Sequence, residues 1–96
     1  MPAGKAAGNG IWERPLAFVD IETTGSGPHN SRVLELGVVR VEQGRVAAEL
    51  RTLVDPGEPV PSWITRLTGI RDDDVAGAPT FAAVADELAE VLDGAV

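Results

Sequence analysis

The sequence contains no cysteine and very few aromatic residues. Of its 96 residues only 4% are aromatic, and these are Trp12, Trp63, Phe18 and Phe81. Without a thiol the chain can form no disulfide, no thiolate zinc site and no cysteine nucleophile. With so few rings, we expect the aromatic residues to act as packing anchors rather than as stacking platforms for nucleic-acid bases.

Basic residues are scarce as well. Eight Lys and Arg residues stand against fifteen Asp and Glu residues, which gives a formal net charge of −7 at pH 7. This balance argues against non-specific nucleic-acid binding, because such binding depends on side-chain cations that displace the counterions of the phosphates. An enzyme that meets phosphates through bound metal ions is not excluded, since the metals supply the positive charge.

Long apolar runs are also missing. No run approaches the length of a membrane span, and residues 1–10, MPAGKAAGNG, lack the apolar centre of a signal peptide. We therefore expect residues 1–14 to form a flexible leader and residues 15–96 to belong to one domain. We expect no membrane partner and a cytoplasmic location, which the absence of cysteine is compatible with.

The remaining chain carries strand signals first and helix signals later. Residues 16–23 predict a first strand, and the β-branched residues 33–42 predict a second. Gln43 and Gly44 predict a tight turn into a third strand over residues 45–54. Short connections of this kind favour antiparallel pairing, so the pattern predicts a three-stranded antiparallel sheet.

Two helices are predicted after the proline-rich break at residues 55–61. Ser62 is the expected N-cap of a short helix that Gly69 ends. Thr80 is the expected N-cap of a longer helix with an apolar stripe, which Gly94 ends. Together with the sheet, these helices predict a mixed α/β domain.

The stretch FVDIETTG, residues 18–25, places two acids in an apolar strand. Because side chains alternate along a strand, Asp20 and Glu22 point to the same face with α-carbons about 6.6 Å apart. Two such carboxylates can hold a hard cation, as two-metal phosphodiester hydrolysis requires, or can simply lie at the solvated rim of a sheet. Thr23, Thr24 and Gly25 favour the metal site, since hydroxyls and amides beside the acids can hold a nucleotide.

FVDIETTG resembles the first exonuclease motif of the DEDD 3′-5′ exonucleases, the group that contains the proofreading (epsilon) subunit of bacterial DNA polymerase III. RVLELGVVRV, residues 32–41, is similar to the family's second strand. The stretch from LVDPGEPVP through LTGI to PTFAAVADELAEVL, residues 53–92, is similar to the segment between its first and second motifs. The resemblance implies a ribonuclease H-like fold, here truncated after three antiparallel strands and two helices.

The resemblance also implies roles for particular residues. Asp20 and Glu22 would be catalytic acids that hold two divalent metal ions, Mg²⁺ or Mn²⁺. Thr23 and Thr24 would line the pocket for the 3′-terminal nucleotide. The loop Thr68-Gly69-Ile70 would close on the terminal sugar and base, with Ile70 as an apolar wedge.

The implied activity is phosphodiester hydrolysis from the 3′ end of a single-stranded nucleic acid, DNA in preference to RNA. The implied setting is DNA proofreading or repair, with a DNA polymerase catalytic subunit as a candidate partner.

The family's site needs two more acids and, in the DEDDh-like branch, a histidine general base. Asp86 and Asp93 do not lie in the family's motif context. We expect His29 to be an exposed loop residue. We expect residues 71–74 to form an exposed acidic loop, with a helical turn as one form of it, rather than a metal cluster. Glu35 is a candidate either to face the acid pair or to pair with a basic residue.

With only the first motif present, residues 15–96 would be the N-terminal half of an exonuclease domain. We expect such a chain to be inactive alone, because two of the four acids and the general base are absent from it. We also expect it to aggregate, because its first strand would expose an apolar edge. The alternative is a non-catalytic remnant or interaction module of the same fold.

Overall fold

A computed structural model of the chain describes residues 14–25, 27 and 30–96. His29 and, apart from Arg14, the predicted leader lie outside the described residues. Within them the chain forms three strands and then three helices. The strands are β1 (Leu16–Thr23), β2 (Val33–Glu42) and β3 (Arg45–Leu53), and the helices are α1 (Ser62–Thr68), α2 (Asp72–Val75) and α3 (Phe81–Leu92).

The sheet has the predicted antiparallel order β1-β2-β3. Gln43 and Gly44 form the turn between β2 and β3 with φ values of 53° and 80°. Positive φ at both central residues is what a tight hairpin turn requires, and a glycine at the second position adopts it without strain. The hairpin predicted from the sequence is therefore confirmed.

The helix starts agree with one predicted cap and correct the other. The Thr80 hydroxyl accepts a hydrogen bond from the Ala83 N–H at 3.2 Å and so caps α3 as expected. Ser62 is not the cap of α1 but its first residue. The helix begins earlier because the Pro61 carbonyl already accepts hydrogen bonds from Ile64 and Thr65, at 3.0 and 3.1 Å.

The acidic run at residues 72–74 forms a short helical turn, α2. The Asp72 carboxylate accepts a hydrogen bond from the Val60 N–H at 2.7 Å. The Asp74 carboxylate accepts one from the Arg71 N–H at 2.8 Å and so caps the turn. Two of these three carboxylates thus accept hydrogen bonds from backbone donors and hold the turn in place.

The core consists of two apolar clusters. One lies between the sheet and α3 and is built on Leu36, Val38, Leu50, Val54 and Val91. The other lies beneath α1 and α2 and contains Leu34, Val60, Ile64, Ile70 and Val75. Burying each such side chain stabilises the fold by about 1.5–3 kcal/mol, so these clusters hold the helices on the sheet.

Arg40 fastens α3 to the sheet by hydrogen bonds. Its Nη1 donates to the carbonyl oxygens of Val91 and Asp93, at 2.8 and 2.6 Å. These carbonyls belong to the C-terminal end of α3, which has no intrahelical donors for them and carries a partial negative charge. A cation at this place therefore both caps the helix and fixes its position.

β1 is an edge strand in the described part of the sheet. Three of its apolar side chains, Phe18, Val19 and Ile21, are 59%, 50% and 46% exposed. The expected exposure of an apolar strand edge is thus present. None of the helices in the described ranges is long and apolar enough to cross a membrane.

Candidate metal centre

The acid pair lies on the sheet face opposite α3. In the register of β1 and β2, Asp20 is opposite Gly37 and Glu22 is opposite Glu35. Residues directly opposite each other point to the same face, so the Glu35 side chain joins those of Asp20 and Glu22. The register shifts between Glu22 and Thr23, the last residue of β1, which pairs with Val33. Three carboxylates therefore lie on one face near the end of β1.

No ion pair or hydrogen bond in the described part of the chain engages the side chains of these carboxylates. The ion pair found there joins Arg40 to Glu42 at 2.7 Å, and no described donor forms a hydrogen bond with the side chain of Asp20, Glu22 or Glu35. Like charges directly opposite each other destabilise a sheet. The facing carboxylates of Glu22 and Glu35 therefore repel each other, and a bound cation would relieve that repulsion.

The donor set fits a hard divalent cation but does not complete its shell. Carboxylate oxygens are the ligands that Mg²⁺ and Mn²⁺ prefer. Asp20 and Glu22 are two residues apart on β1 and point to the same face, so both can supply such oxygens. Among the described residues, however, no three or more His, Cys, Asp or Glu side chains converge as a metal site requires. The acids of β1 therefore fit part of a coordination shell.

Thr23 and Thr24 brace the turn that follows the acid pair. The Thr23 hydroxyl donates to the Gly25 carbonyl at 2.7 Å. Thr24 is 5% exposed, and its hydroxyl accepts a hydrogen bond from the Arg32 N–H at 2.9 Å. Its own N–H donates to the Arg32 carbonyl at 2.8 Å. Both hydroxyls thus bond within the chain, and their contact with a nucleotide stays a prediction.

The loop at residues 68–70 packs on the core through its last residue. Ile70 is 7% exposed and belongs to the core cluster that includes Leu34. The Thr68 hydroxyl donates to the Ile64 carbonyl at 2.8 Å and accepts from the Ile70 N–H at 3.1 Å. Gly69 has a φ of 82° and ends α1, as predicted. A substrate contact by Thr68, Gly69 and Ile70 stays a prediction.

Arg51 is a residue of this face that sequence reasoning missed. It lies opposite Gly37 in the register of β2 and β3 and therefore shares the face of Asp20. Counting back from the hairpin turn would have placed it opposite Leu36, on the core face. The register of β2 and β3 shifts between Arg40 and Val41, because Ala47 of β3 has no partner on β2. This shift moves Arg51 to the face that carries Asp20 and Glu22. No local sequence signal reports such a shift.

Comparison with known proteins identifies the family. The RNase_T family model, described as Exonuclease, matches residues 17–96. The 3′-5′ exonuclease DinG of Bacillus subtilis is 33% identical over 81 residues, which cover 83% of this chain and 9% of DinG. The DNA polymerase III subunit epsilon of Aquifex aeolicus is 40% identical over 77 residues, which cover 80% of this chain and 38% of that subunit. The chain thus spans well under half of either relative.

The fold agrees with this family. The nuclease domain of 3′hExo, a DEDDh family member bound to rAMP, superposes with a TM-score of 0.69 over 84% of this chain and 44% of that domain, at 21% identity. The three antiparallel strands and the helices therefore form part of a ribonuclease H-like exonuclease fold. From residue 17 to residue 96 the chain belongs to the exonuclease family, and the resemblance carried by FVDIETTG is confirmed.

Proposed function

We propose that this chain supplies two metal ligands, Asp20 and Glu22, to a metal-dependent 3′-5′ exonuclease site. One observation carries the proposal: the two carboxylates share a sheet face with Glu35, and no described Lys or Arg forms an ion pair with them within 4.0 Å. A chain gains nothing in stability from such an arrangement, so a ligand is the simplest reason for it. Membership of the exonuclease family supports the same conclusion.

The chemistry divides between the metal and the chain. Bound divalent ions supply charge stabilisation and an activated water for phosphodiester hydrolysis. Asp20 and Glu22 hold the ions on a strand, which is a rigid mount. Gly37, directly opposite Asp20, adds no side chain next to that carboxylate. Since the family's further acids and its histidine belong to later motifs, we propose that residues 1–96 alone bind ions weakly and do not hydrolyse nucleic acid.

The substrate we propose is the 3′ end of a single-stranded nucleic acid, DNA in preference to RNA. The preference is supported by the likeness to a DNA polymerase III subunit, which also makes a polymerase catalytic subunit the proposed partner. The likeness to a nuclease domain bound to rAMP is the reason to test RNA as well.

Titration with Mn²⁺ tests the metal site. Free Mn²⁺ is measured by electron paramagnetic resonance in the wild-type chain and in Asp20→Asn, Glu22→Gln, Asp73→Asn and Glu87→Gln. We expect Asp20→Asn and Glu22→Gln each to weaken binding by about tenfold, because each removes a ligand of an already incomplete shell. Asp73 and Glu87 are exposed acids on α2 and α3 and serve as matched controls. Equal losses in all four variants would mean that Mn²⁺ only samples the acidic surface.

A hydrolysis assay tests the proposed inactivity of the chain alone. Single-stranded DNA and RNA labelled at the 3′ end are incubated with the chain and either Mg²⁺ or Mn²⁺. We expect no release of labelled nucleotide. Release that disappears in Asp20→Asn would show that these residues suffice for catalysis, against the proposal. If the Mn²⁺ titration instead gives the same affinity for wild type, Asp20→Asn and Glu22→Gln, the result would support a non-catalytic module.

A further inference from the structure

Arg51 is the feature of this face that the proposed metal site does not explain. The side chains that share the face with Asp20 and Glu22 include Glu35 on β2 and Glu49 and Arg51 on β3, as the paired registers show. Among these described residues Arg51 is the single cation, and its side chain is exposed. The chain as a whole has almost twice as many acids as bases. A lone arginine amid these acids therefore calls for a physical account.

Gly37 allows Arg51 to reach towards β1. Asp20, Gly37 and Arg51 form one row across the three strands. A Cβ atom at Gly37 would lie 3.8 Å from both Cζ and Nη2 of Arg51, and also 3.8 Å from the Asp20 carbonyl oxygen. The guanidinium thus lies over the glycine, one strand spacing of about 4.8 Å from the strand that carries the acids.

The guanidinium is not used up by an internal ion pair. No carboxylate of the described residues lies within 4.0 Å of it, although Asp20 and Glu49 are near in the register. Nor does it appear as a donor in any hydrogen bond between described residues. Its fork of N–H groups matches two oxygens of a phosphate, and arginine is the side chain that binds phosphate with this bidentate geometry.

We propose that Arg51 binds a backbone phosphate of the nucleic-acid strand whose 3′ end lies at Asp20 and Glu22. This inference rests on the proposed function and adds a substrate-binding residue to it. Metal ions held by the acids and the Arg51 guanidinium, about one β-strand spacing away, would contact the nucleic acid at two places.

Two titrations test the inference on the 96-residue chain. The first repeats the Mn²⁺ titration on Arg51→Gln, Arg51→Lys and Arg45→Gln. The second measures binding of hexathymidylate with a 5′ fluorescein by anisotropy in the presence of Mn²⁺, at several salt concentrations. Arg45 is a matched control because it is an exposed arginine on the same strand, about 20 Å from Arg51. Urea unfolding checks that every variant is folded.

We expect Arg51→Gln to weaken oligonucleotide binding by about fivefold and to lower the slope of log Kd against log salt by about 0.7, the value for one phosphate contact on a single strand. Arg51→Lys should keep the slope and lose only part of the affinity, since it keeps the charge and loses the fork. Mn²⁺ binding should be unchanged or slightly tighter in Arg51→Gln, because a cation near the metal is removed.

The outcomes separate this inference from the proposed function. If Arg51→Gln binds the oligonucleotide with the wild-type Kd and salt slope, or if Arg45→Gln shows the same losses, Arg51 is not a phosphate ligand. If Arg51→Gln weakens Mn²⁺ binding as strongly as Asp20→Asn, Arg51 acts on the acids and the inference is overturned. If the proposed function is wrong, Mn²⁺ binding will not depend on Asp20 and Glu22, and the first Mn²⁺ titration shows this independently of the Arg51 variants.

Discussion

Replacing Glu22 with glutamine should stabilise the metal-free protein while it weakens metal binding. Glu22 faces Glu35 directly across β1 and β2, and Asp20 is on the same face two residues away. Glutamine keeps the shape of glutamate, removes its charge and can donate a hydrogen bond to Glu35. If Glu22 serves to bind a metal ion rather than to stabilise the fold, removing its charge should raise the free energy of unfolding and lower the affinity for the metal.

The size of the effect follows from the spacing of the charges. Carboxylates on directly opposite residues lie about 6 Å apart, so their repulsion in a water-like medium is about 0.7 kcal/mol. Asp20, at a similar distance from Glu22, adds a comparable repulsion. The attraction of Glu22 to the Arg51 guanidinium on the same face and screening at ordinary ionic strength both reduce the total, and we expect Glu22→Gln to gain about 0.5 kcal/mol. For a domain of this size that gain raises Tm by about 3 °C.

Urea unfolding in EDTA, at low and at high salt, is the assay. The gain of Glu22→Gln over wild type should shrink at high salt, because exposed charges are screened. Added Mn²⁺ should shrink or reverse it, because only the wild-type site gains binding free energy on folding. Glu87→Gln, on the exposed face of α3, is the control and should change stability little. A loss of stability in EDTA for Glu22→Gln, or an equal gain for Glu87→Gln, would refute the reasoning.

Three further predictions concern the scaffold, each measured by urea unfolding. Arg40→Met should lower the free energy of unfolding by about 2 kcal/mol, because it removes two hydrogen bonds to the end of α3. Glu42→Gln breaks only an exposed ion pair and should lower it by less than about 0.5 kcal/mol. Ile70→Ala should lose about 3 kcal/mol as a core truncation, and Leu67→Ala, at a 75% exposed site, almost nothing; equal losses would contradict the core position of Ile70. Thr80→Ala should lower the free energy of unfolding by about 1 kcal/mol, and Thr80→Ser should change it little because serine keeps the capping hydroxyl. Equal stability of the two variants would contradict the role of the cap.

Much of the scaffold was predictable because its signals are local. The Gln43-Gly44 turn and the Thr80 cap each depend on the conformational preference of one or two residues, and both are where the sequence predicts them. The start of α1 was misplaced by one residue, because the Pro61 carbonyl rather than the Ser62 hydroxyl satisfies the first turn. Such boundary errors arise where a backbone group substitutes for a side-chain cap.

The sequence by itself determined that Asp20 and Glu22 share one face, because alternation along a strand is a property of the chain alone. Only the tertiary structure decided which residues accompany them. The unpaired Ala47 shifts β3 by one residue and so turns Leu50 to the core and Arg51 to the acids. Packing likewise decided that Ile70 joins the buried cluster rather than faces outward. Both outcomes depend on burying apolar surface between segments distant in sequence, which no local pattern reports.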